Sequence, residues 1–134
     1  MDFFQAVGSC FKKYATFSGR ASRSEYWFFF LFQIISNFIA GMLDKTVLQD
    51  YSYTYYIANH VQHAGLLSIV LWVAFLLPGF AVYFRRLHDV NRSAWWYLIA
   101  FTIIGAIFPL FYWLFCKGTE GDNRFGPDPL AGKQ

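Results

Sequence analysis

Charge is scarce in this chain. Only 14% of its 134 residues are Asp, Glu, Lys or Arg, where a typical soluble domain carries about 25%. Three long blocks, Tyr26–Leu43, Ala64–Phe84 and Ala94–Cys116, hold none at all. A soluble fold needs charge along each surface-facing element, and this distribution argues against one. Cysteine is nearly missing too: Cys10 and Cys116 belong to no close-spaced pair, which removes zinc modules and dithiol chemistry. There is no Walker-type glycine loop and no nucleophile elbow. What fills the chain instead is apolar, with 57% hydrophobic residues and 23% aromatics, a composition that excludes disorder.

Each uncharged block approaches or exceeds the roughly 20 apolar residues that cross a hydrocarbon core. The second is the strongest, a near-continuous run of Leu, Ile, Val and Phe, while Gln33, Ser36 and Asn37 weaken the first. Tyr26, Trp27, Trp95, Trp96, Tyr97, Tyr112 and Trp113 fall near the block ends, where amphipathic rings anchor at headgroup level. The expected fold is therefore an all-α integral membrane protein with spans at about 26–43, 64–84 and 94–116 and a Gly/Pro-rich tail, 117–134. The apolar run begins only at Tyr26 and no small-residue cleavage pattern follows it, so no cleavable signal peptide is expected and the first span stays as an anchor.

Ahead of the spans, residues 1–18 read as an amphipathic helix, with 19–134 forming a single membrane domain. Phe3, Phe4, Val7, Phe11 and Tyr14 share one helical face, and Asp2, Gln5, Ser9, Lys12, Lys13 and Thr16 the other. Such a helix either lies in the membrane surface or packs its apolar face on the protein's own spans.

Three crossings place the N-terminal segment and the loop 85–92 on one side. That side holds Lys12, Lys13, Arg20, Arg23, Arg85, Arg86 and Arg92, against Lys45, Lys117, Arg124 and Lys133 on the other. The positive-inside rule then predicts a cytoplasmic N-terminus and an external C-terminus. Gly105 and Pro109 leave two shapes for the third block, a kinked single span, which is favoured, or a re-entrant turn that brings the C-terminus inside. Gln33, Asn37 and Gly41 in the first span, and Thr102, Gly105, Ala106 and Pro109 in the third, form polar or small stripes suited to helix contacts.

Two charged clusters flank the spans. One places Arg20, Arg23 and Glu25 just before the first. The other is Arg85–Trp96; if the helix continues through it, Arg85, His88, Asp89 and Arg92 fall on one face. Arg20, Arg23, Arg85, Arg86 and Arg92 are candidates for binding anionic headgroups or phosphate. His88 and Asp89 are weak catalytic candidates, with the carboxylate orienting the imidazole and raising its pKa. The alternative is a salt-bridge network at the membrane edge. The tail Gly118–Pro129 is dense in Gly and Pro and reads as turns, either an ordered cap or a flexible end. His60 and His63 have a one-turn spacing but no third ligand, so no metal or cofactor is expected. Nor is nucleic acid, for want of a soluble basic face.

Three ordered motifs resemble a known family: Gly-Arg-x-x-Arg-x-Glu-Tyr-Trp at Gly19–Trp27, Arg-Arg-Leu-His-Asp-x-x-Arg-Ser-x-Trp-Trp at Arg85–Trp96, and Gly-Thr-x-Gly-x-Asn-Arg-Phe-Gly-Pro-Asp-Pro at Gly118–Pro129. Set around three apolar blocks, they are similar to the small bacterial inner-membrane proteins of the domain of unknown function 805 family. Ala94 departs from the Gly expected there, and the loop Asp44–His63 is long and tyrosine-rich. The resemblance implies a helical plasma-membrane protein and supplies no activity. Glu25, Asn123 and Arg124 enter as motif positions without a role.

Three functions are compatible with these residues. The favoured one is a non-catalytic membrane protein that binds anionic lipid, a membrane-protein partner or a second copy of itself. The second is an enzyme on a phosphorylated lipid, with Arg20, Arg85 and Arg92 holding phosphate and His88 with Asp89 as acid or base; an internal C-terminus, bringing Asn123 and Arg124 to that face, would put it first. The third is a subunit of an oligomeric transporter, against which the uncharged spans argue.

Overall fold

The computed structural model describes residues 1–48, 53–57, 60–101 and 109–131. They form helices α1 (Phe3–Lys12) and α2 (Arg23–Thr46), strands β1 (Tyr53–Ile57) and β2 (His60–Ala64), helix α3 (Leu66–Asp89), a 3-10 helix (Ala94–Phe101) and helix α4 (Pro109–Phe115). The chain divides into two compact units, Met1–Phe29 with Pro78–Gln134, and Phe30–Leu77. The division falls inside α2 and α3, each of which continues from one unit into the other.

Helices α2 and α3 have 24 residues each, about 36 Å at 1.5 Å per residue. Among the described residues they are the two helices long and apolar enough to cross a membrane. Helix α2 contains the first uncharged block and α3 the second from Leu66 onward, and both run beyond them into the charged motifs at Arg23–Glu25 and Arg85–Asp89.

In the unit Phe30–Leu77 Gln33 and Asp44 of α2 bond across to α3, while Asn37 turns back onto its own helix. Gln33 Nε2 donates to Phe75 O at 3.3 Å, and Asn37 Nδ2 to Gln33 O at 2.9 Å. Asp44 accepts from the backbone N–H of Leu67 at 3.0 Å and of Ser68 at 2.9 Å, and from Ser68 Oγ at 2.6 Å. Those N–H groups open α3 and lack partners within it, so a carboxylate from the neighbouring helix caps α3. Gly65 is required beside it, because a Cβ there would run into the Asp44 carboxylate. Strands β1 and β2 form an antiparallel hairpin from Tyr53↔Ala64 to Ile57↔His60. His60 and His63 therefore lie on a strand, and their separation is not the turn of helix that their spacing suggested.

In the other unit, α1 opens with a capping box between Asp2 and Gln5 and ends at Lys12, short of residue 18. It buries Ala6 and Cys10, whose four-residue spacing sets the line of close approach. Phe3 and Phe11 meet Phe28 and Phe29 edge-on, with centroids 6.0 and 5.8 Å apart. The packed face is thus rotated from the aromatic one toward the small residues, leaving Phe4 83% exposed.

Helix α3 stops at Asp89 through a Schellman motif. Asn91 takes φ 58°, and the N–H groups of Asn91 and Arg92 return to His88 O at 3.0 Å and Leu87 O at 2.9 Å. Arg92 consequently leaves the helical face that was to join it to Arg85, His88 and Asp89.

The third uncharged block departs most from expectation. In a single helical pass Trp96 and Trp113 would stand about 25 Å apart. Their rings are instead 5.4 Å apart, centroid to centroid, and the Arg92 guanidinium lies over both, 5.6 and 5.2 Å from the ring centres. The described ends of the block therefore lie against each other, which one straight helical pass over Ala94–Cys116 does not allow. Pro109, expected in mid-span, opens α4, a position where its missing N–H costs nothing. The stripe position Thr102, Gly105 and Ala106, and any bend at Gly105, lie outside the described residues.

Candidate functional site

With the ends of the third block against each other, the tail reaches the end of α3, and the three charged motifs meet there. Asp89 is the centre. Its Oδ1 accepts from Arg20 Nε at 3.0 Å and its Oδ2 from Arg86 Nη1, and all three side chains are buried. Arg20 spends its remaining donors on the tail, with Nη2 on Thr119 O and Nη1 on Gly121 O and Gly126 O. Arg86 donates to Trp113 O, Leu114 O and Cys116 O, satisfying the carbonyls that end α4. One carboxylate thus holds two arginines, and those two hold the C-terminal segment.

The tail is an ordered cap. Thr119 N and Oγ1 both donate to Asp89 O, at 2.8 and 3.0 Å. Asn123 Nδ2 donates to His88 O at 2.9 Å and to Thr119 Oγ1 at 2.8 Å. These bonds close carbonyls that the end of α3 leaves open. Gly121 and Gly126 take φ 70° and 138°, which side-chain-bearing residues rarely adopt. Gly118 answers a packing need, since a Cβ there would collide with the Asp89 carboxylate.

His88 does not pair with Asp89. Its Nδ1 faces Gly19 O at 3.1 Å, and its ring stacks on Phe125 at 4.1 Å with 6° between the planes. The carboxylate expected to orient it is committed to Arg20 and Arg86. Arg124 lies over the outer face of Phe125, 4.6 Å from the ring centre, and donates to Asn91 O at 3.3 Å.

A second buried pair stands beside the first. Glu25 Oε1 accepts from Arg85 Nη1 at 2.7 Å and from Ser9 Oγ at 3.1 Å, with Cys10 Sγ at 3.9 Å, which fastens α1 to α2. The buried Nε and Nη2 of Arg85 have no hydrogen-bond partner among the described residues. Burial, reinforced by the Glu25 charge, pushes the Cys10 thiol up to about 12, so this cysteine stays protonated and unreactive.

Of the arginines expected to hold phosphate, Arg20, Arg85 and Arg86 are therefore buried, while Arg23 and Arg92 face outward. Arg23 reaches Phe115 O with one long bond of 3.4 Å and lines a cavity of about 260 Å³. Sequence reading missed Asp44 and Gly65, and gave Gly118, Thr119 and Phe125 only as motif letters without a role. The density of glycine in the tail was the one available signal, and it marked turns without saying what they surround.

Two apolar helices of membrane-crossing length, carrying a buried ion-pair network where their charged ends meet, define a small helical membrane protein. The chain belongs to the family described as "Protein of unknown function (DUF805)", whose profile matches residues 14–127. It is 40% identical over 135 residues to inner membrane protein YhaH of Escherichia coli K12, covering 96% of this chain and 97% of that one. Inner membrane protein YhaI of the same strain is 37% identical over 126 residues, covering 92% and 94%. No solved structure matches.

Proposed function

We propose that this chain is a non-catalytic bacterial inner-membrane protein that binds lipid headgroups at the cytoplasmic face, with both termini on that face. The observation that carries this reading is how the charged motif residues are spent. Arg20, Arg86 and Asp89 saturate one another and the tail backbone, and His88 is closed between Gly19 and Phe125. No acid–base pair stands open to a substrate among these described groups. Lys12, Lys13, Arg23 and Arg92 are among the cations that face outward, at the ends of apolar elements where anionic headgroups lie. Phe4 and Phe11, exposed on α1, fit an amphipathic helix seated in the same interface.

Reading the third block as re-entrant makes the charge bias sharper than three crossings do. With α2 and α3 as the two crossings, every Lys and Arg except Lys45 falls on the side of the N-terminus, a bias the positive-inside rule assigns to the cytoplasm. Reporters fused after Gln134, one active only inside and one only outside, are expected to give the inside signal alone; an outside signal would overturn this topology. For the binding itself, a variant with Lys12, Lys13 and Arg92 all changed to Gln is expected to retain several-fold less anionic lipid through purification. Each exposed basic residue near a membrane surface contributes about 1 kcal/mol, so unchanged lipid retention would count decisively against headgroup binding.

A further inference from the structure

The cavity beside Arg23 has a composition that the ion-pair network does not explain. It measures about 260 Å³ and opens between the start of α2 and the tail, lined by Ser22, Arg23, Ser24, Lys117, Glu120 and Asp128 among others. Its lining carries both charges, Arg23 and Lys117 against Glu120, Asp128 and the arginine-bonded Asp89. Arg23 and the two serines, whose hydroxyls lie 3.0 Å apart, belong to the α2 side; Glu120 and Asp128 belong to the tail. Lys117 is paired with Glu120 at 2.5 Å in the open, so it is available at little cost, since exposed pairs contribute little. Asp128 is held in place by the N–H groups of Gly121 at 3.0 Å and Leu130 at 2.9 Å. These bonds hold its carboxyl below the usual range, and it carries full charge at neutral pH.

A simple anion entering this space would meet Asp128 and Glu120, and a simple cation would meet Arg23. A ligand with both charges, a few bonds apart, satisfies both. The volume lies just under the ~300–1,000 Å³ of pockets that enclose whole small molecules, which suits a headgroup whose acyl chains stay outside. The position agrees, because Tyr26 and Trp27 follow immediately in α2, and Trp27 rests on Phe115 with centroids 4.5 Å apart, marking headgroup depth.

We infer that this cavity binds a phosphodiester bearing a primary amine, the zwitterionic headgroup of a phosphatidylethanolamine, with Arg23, Lys117 and the serine hydroxyls on the phosphate and Asp128 on the ammonium. The inference goes beyond the anionic-headgroup reading at Lys12, Lys13 and Arg92 by assigning a zwitterionic lipid to a separate site, and it rests on that reading for the depth of the cavity.

The test uses the full chain in a mild detergent, with short-chain phosphatidylethanolamine, short-chain phosphatidylmethanol and water-soluble glycerophosphoethanolamine as probes, followed by native mass spectrometry. Arg23→Gln and Lys117→Gln are each expected to weaken both lipids about tenfold, the effect of one charged hydrogen bond. Asp128→Asn is expected to weaken the ethanolamine lipid by about the same factor and leave the methanol lipid unchanged, a split that general loss of structure would not produce. Equal binding of the two lipids by the unaltered protein, or no response to Arg23→Gln and Lys117→Gln, would overturn the inference. Glycerophosphoethanolamine binding as tightly as the lipid would support the same chemistry with a soluble source. Because that probe needs no membrane, its binding survives even if the topology reporters place the C-terminus outside, and the two readings fail separately.

Discussion

Replacing Asp89 with Ala will destabilise the folded protein by about 3–5 kcal/mol, because it leaves two buried guanidinium groups without a counter-charge. Arg20 and Arg86 are both buried and both aimed at this carboxylate, and each also carries backbone carbonyls of the C-terminal segment. The loss should appear as a lowered unfolding temperature in detergent, with the tail becoming open to protease. Gly118→Ala is expected to act through the same group, since its new methyl would displace the Asp89 carboxylate. The two changes should therefore combine far less than additively. A loss under 1 kcal/mol for Asp89→Ala would mean that water reaches the two arginines, and a fully additive double variant would mean that Gly118 is required for some other reason.

Glu25→Ala is the second large effect expected, again about 3–5 kcal/mol. Arg85 is 1% exposed and two of its three nitrogens already lack partners among the described residues; without Glu25 its buried charge is wholly uncompensated. Ser9 and Cys10 lose their acceptor in the same step, so α1 should loosen and residues 1–18 become protease-sensitive. Adding Arg85→Met should restore most of the stability, because a buried ion pair replaced by apolar side chains of similar volume is often neutral or better. If the double variant is as unstable as Glu25→Ala alone, the carboxylate matters through Ser9 rather than through the ion pair.

The two helices long and apolar enough to cross a membrane were legible in the sequence because an uncharged run of that length has few other fates. The runs did not mark their own ends: α2 and α3 extend into charged residues that find partners only after folding. The third block was equally apolar and misled, since hydropathy reports solvent preference and says nothing of direction. Pro109 was noticed as a possible bend, while the decisive contacts, Arg86 with the carbonyls at the end of α4 and Trp96 with Trp113, join residues far apart in the chain. The membrane-edge network was foreseen as one reading of the arginines, but its hub was not. Asp89 was weighed as a partner for His88 one position away, and its actual partners stand 69 and three positions off. Arg92 was placed on a helical face by counting, and a single left-handed residue, Asn91, invalidated the count. Asp44 looked like any acidic residue closing a span; its role as the cap of α3 depends on a neighbour 24 positions away. The meeting of the three motifs at one end was foreseen as the condition for an enzyme. It is met, yet the groups brought together are bonded to one another.

The order in which the chain is made gives the Asp89 hub a further meaning. A chain leaves the ribosome at about 5–20 residues per second, N-terminal part first. Arg20 emerges well before the carbonyls of Thr119, Gly121 and Gly126 that complete its bonds. Helices α2 and α3 are therefore synthesised while their charged ends are unfinished, and a product halted before Gly118 presents an arginine with nothing to fill half its donors. The bonding of residue 20 is thus completed only by the last-made part of the chain.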